Sequence, residues 1–263
     1  MDTHLPPPLI APLLNRNSHS SQTIFVSVSL HMSDRIRFVR FPPEDLEAIT
    51  AVISRHWSRG IQSSRSYGCS YELKLRGSPW FGSGTGPDAV PALILMRELL
   101  AALYAQSWII TTSTDVSRKR DDKDTLIFRR RPLPPPRVQW LVISFKAEDK
   151  LRCLGAEPDL LAAISSMLRS LRLLQSEKKK AMEAHHYEFK IHGYPWAAMG
   201  EETMQTRLLI IKLMEVLEVH GWRVYASIDQ NSGPLGNANY SAVDSWYCFK
   251  SVDWTPGDAI FDH

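Results

Sequence analysis

Tyr71-Glu72-Leu73-Lys74-Leu75-Arg76-Gly77-Ser78-Pro79-Trp80 returns later in the chain as Tyr187-Glu188-Phe189-Lys190-Ile191-His192-Gly193-Tyr194-Pro195-Trp196. Tyr, Glu, Lys, Gly, Pro and Trp hold their places in both copies. The alternation reads as a strand with Tyr71, Leu73 and Leu75 on one face and Glu72, Lys74 and Arg76 on the other. Gly77 and Pro79 end it.

The repetition extends outward from this segment. Downstream of each copy comes a largely apolar helix, over 88–106 and 201–220, then strands over 107–114 and 222–228. Upstream, Ser29-Leu30 through Ala48-Ile49 aligns without a gap on Ser144-Phe145 through Ala163-Ile164. Each stretch holds a hairpin followed by an amphipathic helix that opens on Pro and acids. The second of these helices is expected to run from Pro158 to about Met182. The chain therefore reads as two copies of one unit, strand-strand-helix-strand-helix-strand-strand. The fold class is α+β, a pseudosymmetric tandem of antiparallel sheets, each with two helices on one face. Both central helices are too apolar to face water and are expected to meet each other, or each other's sheet, across a pseudo-twofold axis.

The boundaries follow. Residues 1–22 read as a disordered leader, 23–130 as the first repeat and 131–137 as a proline-rich linker. Residues 138–254 read as the second repeat and 255–263 as a tail.

Composition narrows the function classes. With 44% hydrophobic and 22% charged residues and a net charge of +3, the 263-residue chain is ordinary for a globular protein and argues against nucleic acid as a partner. Three scattered cysteines, Cys69, Cys153 and Cys248, point to a reducing compartment, cytoplasmic or nuclear. No apolar run reaches membrane-spanning length, so no membrane partner is expected.

The pattern Tyr-Glu-x-Lys-x-x-Gly-x-Pro-Trp, an apolar helix, then Gly-Trp or Ser-Trp leading into Ser-x-Asp resembles an uncharacterised, largely fungal family with tandem repeats. That resemblance covers 71–130 and 187–250 best and implies the domain architecture, with no chemistry attached. The tandem module also looks like the duplicated small-molecule-binding folds of the GyrI type, a likeness of topology alone.

Candidate residues are few. Phe81-Gly82-Ser83-Gly84-Thr85-Gly86-Pro87-Asp88 lies between strand and helix, but Glu201 and Glu202 in the second copy would repel an anion, so it reads as a turn. Glu72, Lys74, Glu188 and Lys190 read first as a charge ladder, with neighbours such as Arg129 or Lys250, and second as the lining of a groove. Asp115 and Asp229 close equivalent strands as turn formers; a pocket between the copies would make them acid or base. His185, His186 and His192 lack metal-ligand spacing, so neither metal nor cofactor is expected. The basic runs at 118–120, 129–131 and 178–180 read as solvated helix ends or hairpin tips. Pro132, Pro135 and Arg137 match PxxPxR, which a polyproline-reading groove recognises.

The leading expectation is a non-enzymatic, adaptor-like interaction protein with a protein partner; the alternative is a small-molecule-binding or hydrolytic domain with a pocket between copies, and a third reading is weak nucleic-acid binding through the basic runs. A cavity above roughly 300 Å³ with converging polar groups would favour the latter.

Overall fold

Buried and half-exposed positions alternate along Phe25–His31 (β1) and Arg35–Val39 (β2), which pair antiparallel as the hairpin that starts the first repeat. The computed structural model of the chain describes residues 23–81, 86–116, 123–180, 186–230 and 243–260. Helix α1 (Pro43–His56) opens with Pro in its first turn and Glu44 and Asp45 beside its positive end. Ile49 and Ile53, one turn apart, bury its inner face. Strands β3 (Ile61–Tyr67) and β4 (Ser70–Leu75) follow, then α2 (Ala89–Ala105), β5 (Trp108–Thr114) and β6 (Thr125–Arg130).

The second repeat restarts the series. It runs β7 (Val138–Lys146), β8 (Lys150–Leu154), α3 (Pro158–Ser170), β9 (Leu174–Lys180), β10 (His186–Ile191), a 3-10 turn at Pro195–Ala197, α4 (Glu202–Val219), β11 (Arg223–Ile228) and β12 (Ser245–Ser251). The strand orders are β3-β4-β2-β1-β6-β5 and β9-β10-β8-β7-β12-β11, the same path walked twice. Backbone detail repeats too: left-handed φ angles fall at Met32 and Ala147, Arg40 and Gly155, Gly77 and Gly193, Ser107 and Gly221. The α+β tandem expected from the decapeptide is the fold observed.

Two corrections concern the unit itself. Among the described residues each copy holds six strands, strand-strand-helix-strand-strand-helix-strand-strand, because β3 and β9 form the outer edges of the two sheets. The helix expected to reach Met182 ends at Ser170, and Lys178, Lys179 and Lys180 belong to β9. Lysines on an edge strand repel a second edge, which is a reason for the basic run to be there.

The first core lies between α1, α2 and one face of the first sheet, with Val28, Ile36, Leu73 and Phe128 fully enclosed. It does not stop at the repeat boundary. Val142, Leu154, Ala226, Ile228 and Tyr247, from the sheet face that α3 and α4 leave free, belong to it. On the opposite face of the same sheet, Leu141, Ile143, Leu151 and Phe189 form the second core with Leu213 and Leu217 of α4. The equivalent edge strands β5 and β11 lie side by side. Ile110 N–H donates to Tyr225 Oη at 2.8 Å and Ser113 Oγ to the Ser227 carbonyl at 3.1 Å. Tyr104, Trp140, Tyr225 and Phe249 fill the seam with tilted and edge-on ring contacts. Among the described residues the space between the copies is packed.

The helices are treated unequally. α2 packs against α1 and β5 of its own repeat and against β7 of the other, burying nine residues that include Leu93, Leu95, Met96, Leu99, Leu103 and Tyr104. α4 buries only Leu209, Leu213 and Leu217 and leaves Met204, Leu208, Ile211 and Met214 exposed. The expectation that both central helices are enclosed holds for α2 and fails for α4. The first sheet's outer face carries Arg35, Arg37 and Glu72, which offer an apolar helix nothing to bury against.

Candidate functional site

The repeated Glu is a caged carboxylate in the first copy. Glu72 faces Arg37 on β2 and Arg65 on β3 in register. Arg35 Nη1 and Arg65 Nε donate to Oε1 at 2.7 and 2.8 Å, and Arg37 Nε to Oε2 at 2.7 Å. Burial pushes the carboxyl up, but hydrogen bonds from Arg37 and Arg65 and the charges of Arg35 and Arg37 hold it below its ordinary value. In the second copy Glu188 faces Arg152 and Lys178, with Lys146 Nζ at 3.6 Å and Arg152 Nη2 at 3.9 Å. The ladder partners are therefore the adjacent strands' own basic residues, and Arg129 and Lys250 are not among these contacts. Lys250 instead bonds Glu157 at 2.6 Å. Lys74 and Lys190 pair with Asp34 and Asp149 at 3.8 and 3.7 Å, one salt bridge made twice.

Asp115 and Asp229 come to one end of the seam between the repeats. Asp229 N–H donates to Asp124 Oδ2 at 3.0 Å, and Asp124 N–H to the Asp229 carbonyl at 3.2 Å. Burial raises the Asp124 carboxyl above its usual range; the Asp229 amide opposes this, while Asp244 and Asp115 add to it. Pro132 and Arg137 are exposed and Pro135 half-buried, in a linker tied down by Arg131 N–H to the Ser107 carbonyl and Val252 N–H to the Arg137 carbonyl. Residues 82–85 of the glycine-rich loop, the basic run at 118–120 and His185 lie outside the described residues. Among the described residues no cluster of His, Cys, Asp or Glu is arranged to hold a metal ion.

What spacing did not foretell is a cavity of about 810 Å³ inside the second repeat. One wall is a single face of α3, Pro158, Leu161, Ala162, Ser165 and Arg169; the other is Glu177 and Lys179 of β9 with Tyr187 of β10. Small side chains at Ala162, Ser165 and Ser166 leave the space open. At its polar side Arg169 Nη2 donates to Glu177 Oε1 at 2.6 Å, and Tyr187 Oη to Glu177 Oε2 at 3.3 Å. Burial and the neighbouring Glu177 carboxylate push the Tyr187 phenol up, so it stays a proton donor. Lys179 is exposed and has no ion pair among the described residues.

The two copies differ most here. In the alignment of the repeats, Ala162, Ser165 and Arg169 correspond to Glu47, Thr50 and Ser54. The strand registers place Glu177 and Lys179 opposite Phe189 and Tyr187, where the first copy has Ser64 and Ser66 opposite Leu73 and Tyr71. Leu161 and Tyr187 keep their types as Leu46 and Tyr71, while the charged members belong to the second copy alone. The legible signal was three small residues beside Leu161 on the helix, facing a strand with two charges at alternate positions. This cavity lies within the second repeat, and neither Asp115 nor Asp229 lines it.

One domain-family model matches the chain twice, over residues 24–129 and 139–249. No curated protein and no solved structure matches it.

Proposed function

The chain belongs to that domain family and carries two copies of its domain, and from this premise we propose that it is a binding protein whose second copy holds a small amphipathic organic anion. The observation that carries the reading is the cavity of about 810 Å³ walled by α3 and β9–β10. Its volume suits a ligand of ordinary metabolite or drug size. Pro158, Leu161 and Ala162 would cover an apolar body, while Lys179 and Arg169 would meet a carboxylate or phosphate at the polar side. Glu177 is occupied by Arg169 and Tyr187, so it orients the arginine and does not face the ligand as a bare charge. Tyr187 donates its phenol hydrogen to Glu177 and so helps to fix the carboxylate that orients the arginine. Three free cysteines, two of them buried, suit a reducing compartment, the cytoplasm or nucleus. No helix among the described residues is long and apolar enough to cross a membrane.

The test is a fluorescence titration with anilinonaphthalene sulfonate, an amphipathic anion. Saturable binding is expected, weakened at least tenfold by Ala162→Trp, which fills the cavity from an exposed position, and several-fold by Lys179→Glu. Glu47→Trp at the equivalent place in the first copy should leave the curve unchanged. An unaltered titration for Ala162→Trp in a normally folded protein removes the reading.

A second reading, an adaptor that presents its linker, is favoured by the exposure of Pro132, Leu133 and Arg137 between two backbone tethers. Pro132→Ala with Pro135→Ala should then abolish capture by a polyproline-reading domain without lowering the melting temperature.

A further inference from the structure

α2 and α4 hold the same position in the two repeats, yet α2 is covered on both sides and α4 on one. Along the open side of this 18-residue helix stand Met204, Leu208, Ile211 and Met214, with exposures of 58%, 41%, 54% and 40%. Val219, 72% exposed, continues the patch. A contiguous apolar stripe of this kind on a helix marks an interaction surface.

We propose that two copies of this chain pair through α4, with the helices antiparallel about a two-fold axis at Ile211. The helix is self-complementary about that residue, as an isologous interface requires. Arg207 and Glu215 stand four positions to either side of Ile211, so Arg207 faces Glu215 of the partner subunit. Leu208 and Met214 stand three positions to either side and meet in the same way. Arg207 has no carboxylate partner among the described residues; it donates only to the Thr203 carbonyl at 3.0 Å.

Shape agrees with charge. A cleft of about 60 Å³ opens at the far end of the helix, lined by Met214, Leu217, Glu218, Trp222, Arg223 and Val224. Glu218 lies seven positions beyond Ile211, and Met204 seven before it. Each helix thus brings an unbranched, adaptable side chain to the cleft of the other. A head-to-tail stack, repeating the way α2 meets the second sheet, is disfavoured because the first sheet's outer face buries the arginine-caged Glu72 in place of apolar side chains.

Sedimentation equilibrium of the full chain across the micromolar range tests this. The wild type should form a dimer. Ile211→Glu places two like charges on the axis and should raise the dissociation constant at least tenfold with an unchanged far-ultraviolet spectrum. Arg207→Glu should weaken the dimer, and Arg207→Glu with Glu215→Arg should recover most of it. A monomeric wild type overturns the proposal, and so does an Ile211→Glu protein that still dimerises. A wild type that dimerises only after removal of residues 1–22 also overturns it, since that segment would then be the occupant of the face.

Discussion

The two repeats share a strand order, a set of left-handed backbone positions and a doubled salt bridge, yet they have been put to different uses. The first is enclosed: its central helix is sandwiched between sheets, and its Glu72 is neutralised by three arginines. The second is open at two places, the cavity beside α3 and the outer face of α4. One backbone can do both because each difference rests on a few side chains. Glu47, Thr50 and Ser54 stand where Ala162, Ser165 and Arg169 make a pocket. Where two copies of a domain diverge while the scaffold holds, the divergent positions are the place to look for function.

The largest expected effect comes from the turn after each central helix. Gly221 has φ +79°, and a Cβ there would lie 2.4 Å from the Trp254 ring. Ser107, at the equivalent place, takes φ +68°. Gly221→Ala should cost about 3 kcal/mol in urea unfolding, combining left-handed strain with the displacement of Trp254. A loss no larger than that of an ordinary surface alanine would show that the segment around Trp254 is not seated on the second repeat.

Next is the caged carboxylate. Glu72→Gln leaves three arginines without their anion and should cost about 2 kcal/mol at neutral pH, below the range for a deeply buried pair because the arginines are partly wet. The folded carboxyl lies below its ordinary value, so its contribution is present above the unfolded value and is lost as pH falls through the folded one. Wild type and variant should therefore converge in stability under acid. A constant gap across the acid limb would mean that shape, and not charge, holds β3 to β4.

Ser107→Gly should act in the opposite sense, stabilising the protein by about 0.5–1 kcal/mol as the left-handed strain is relieved. Asp124→Asn is the smallest. The folded Asp124 carboxyl lies above its ordinary value, so its stabilising share is complete below the unfolded value and is lost as pH rises through the folded one. The asparagine can still accept the Asp229 amide, and the variant should be slightly more stable than wild type at neutral pH and no better in acid. A destabilised variant at neutral pH would show that a charge at this end of the seam is needed.

The physical reasons for what sequence revealed and concealed lie in particular residues. β4 and β10 were legible because Leu73, Leu75, Phe189 and Ile191 face a core at every second position. β3 was not, since Ile61-Gln62-Ser63-Ser64-Arg65-Ser66-Tyr67 is an edge strand exposed along nearly its whole length and has no core face to alternate with. β9 hid for the same reason, its lysines reading as the end of a helix. The apolar character of α4 suggested enclosure, but composition reports what a helix can bury, and not whether a surface is present to bury it.

By itself the sequence determined the duplication, the α+β class and the faces of the repeated strand, because these follow from periodicities that local geometry imposes on the chain. Only the tertiary structure decided that the seam between the copies is packed among the described residues, that a cavity opens within the second repeat, and that α4 presents an uncovered face. Those outcomes depend on which surfaces distant segments bring together. Packing between non-neighbouring elements leaves no period in the chain to be read.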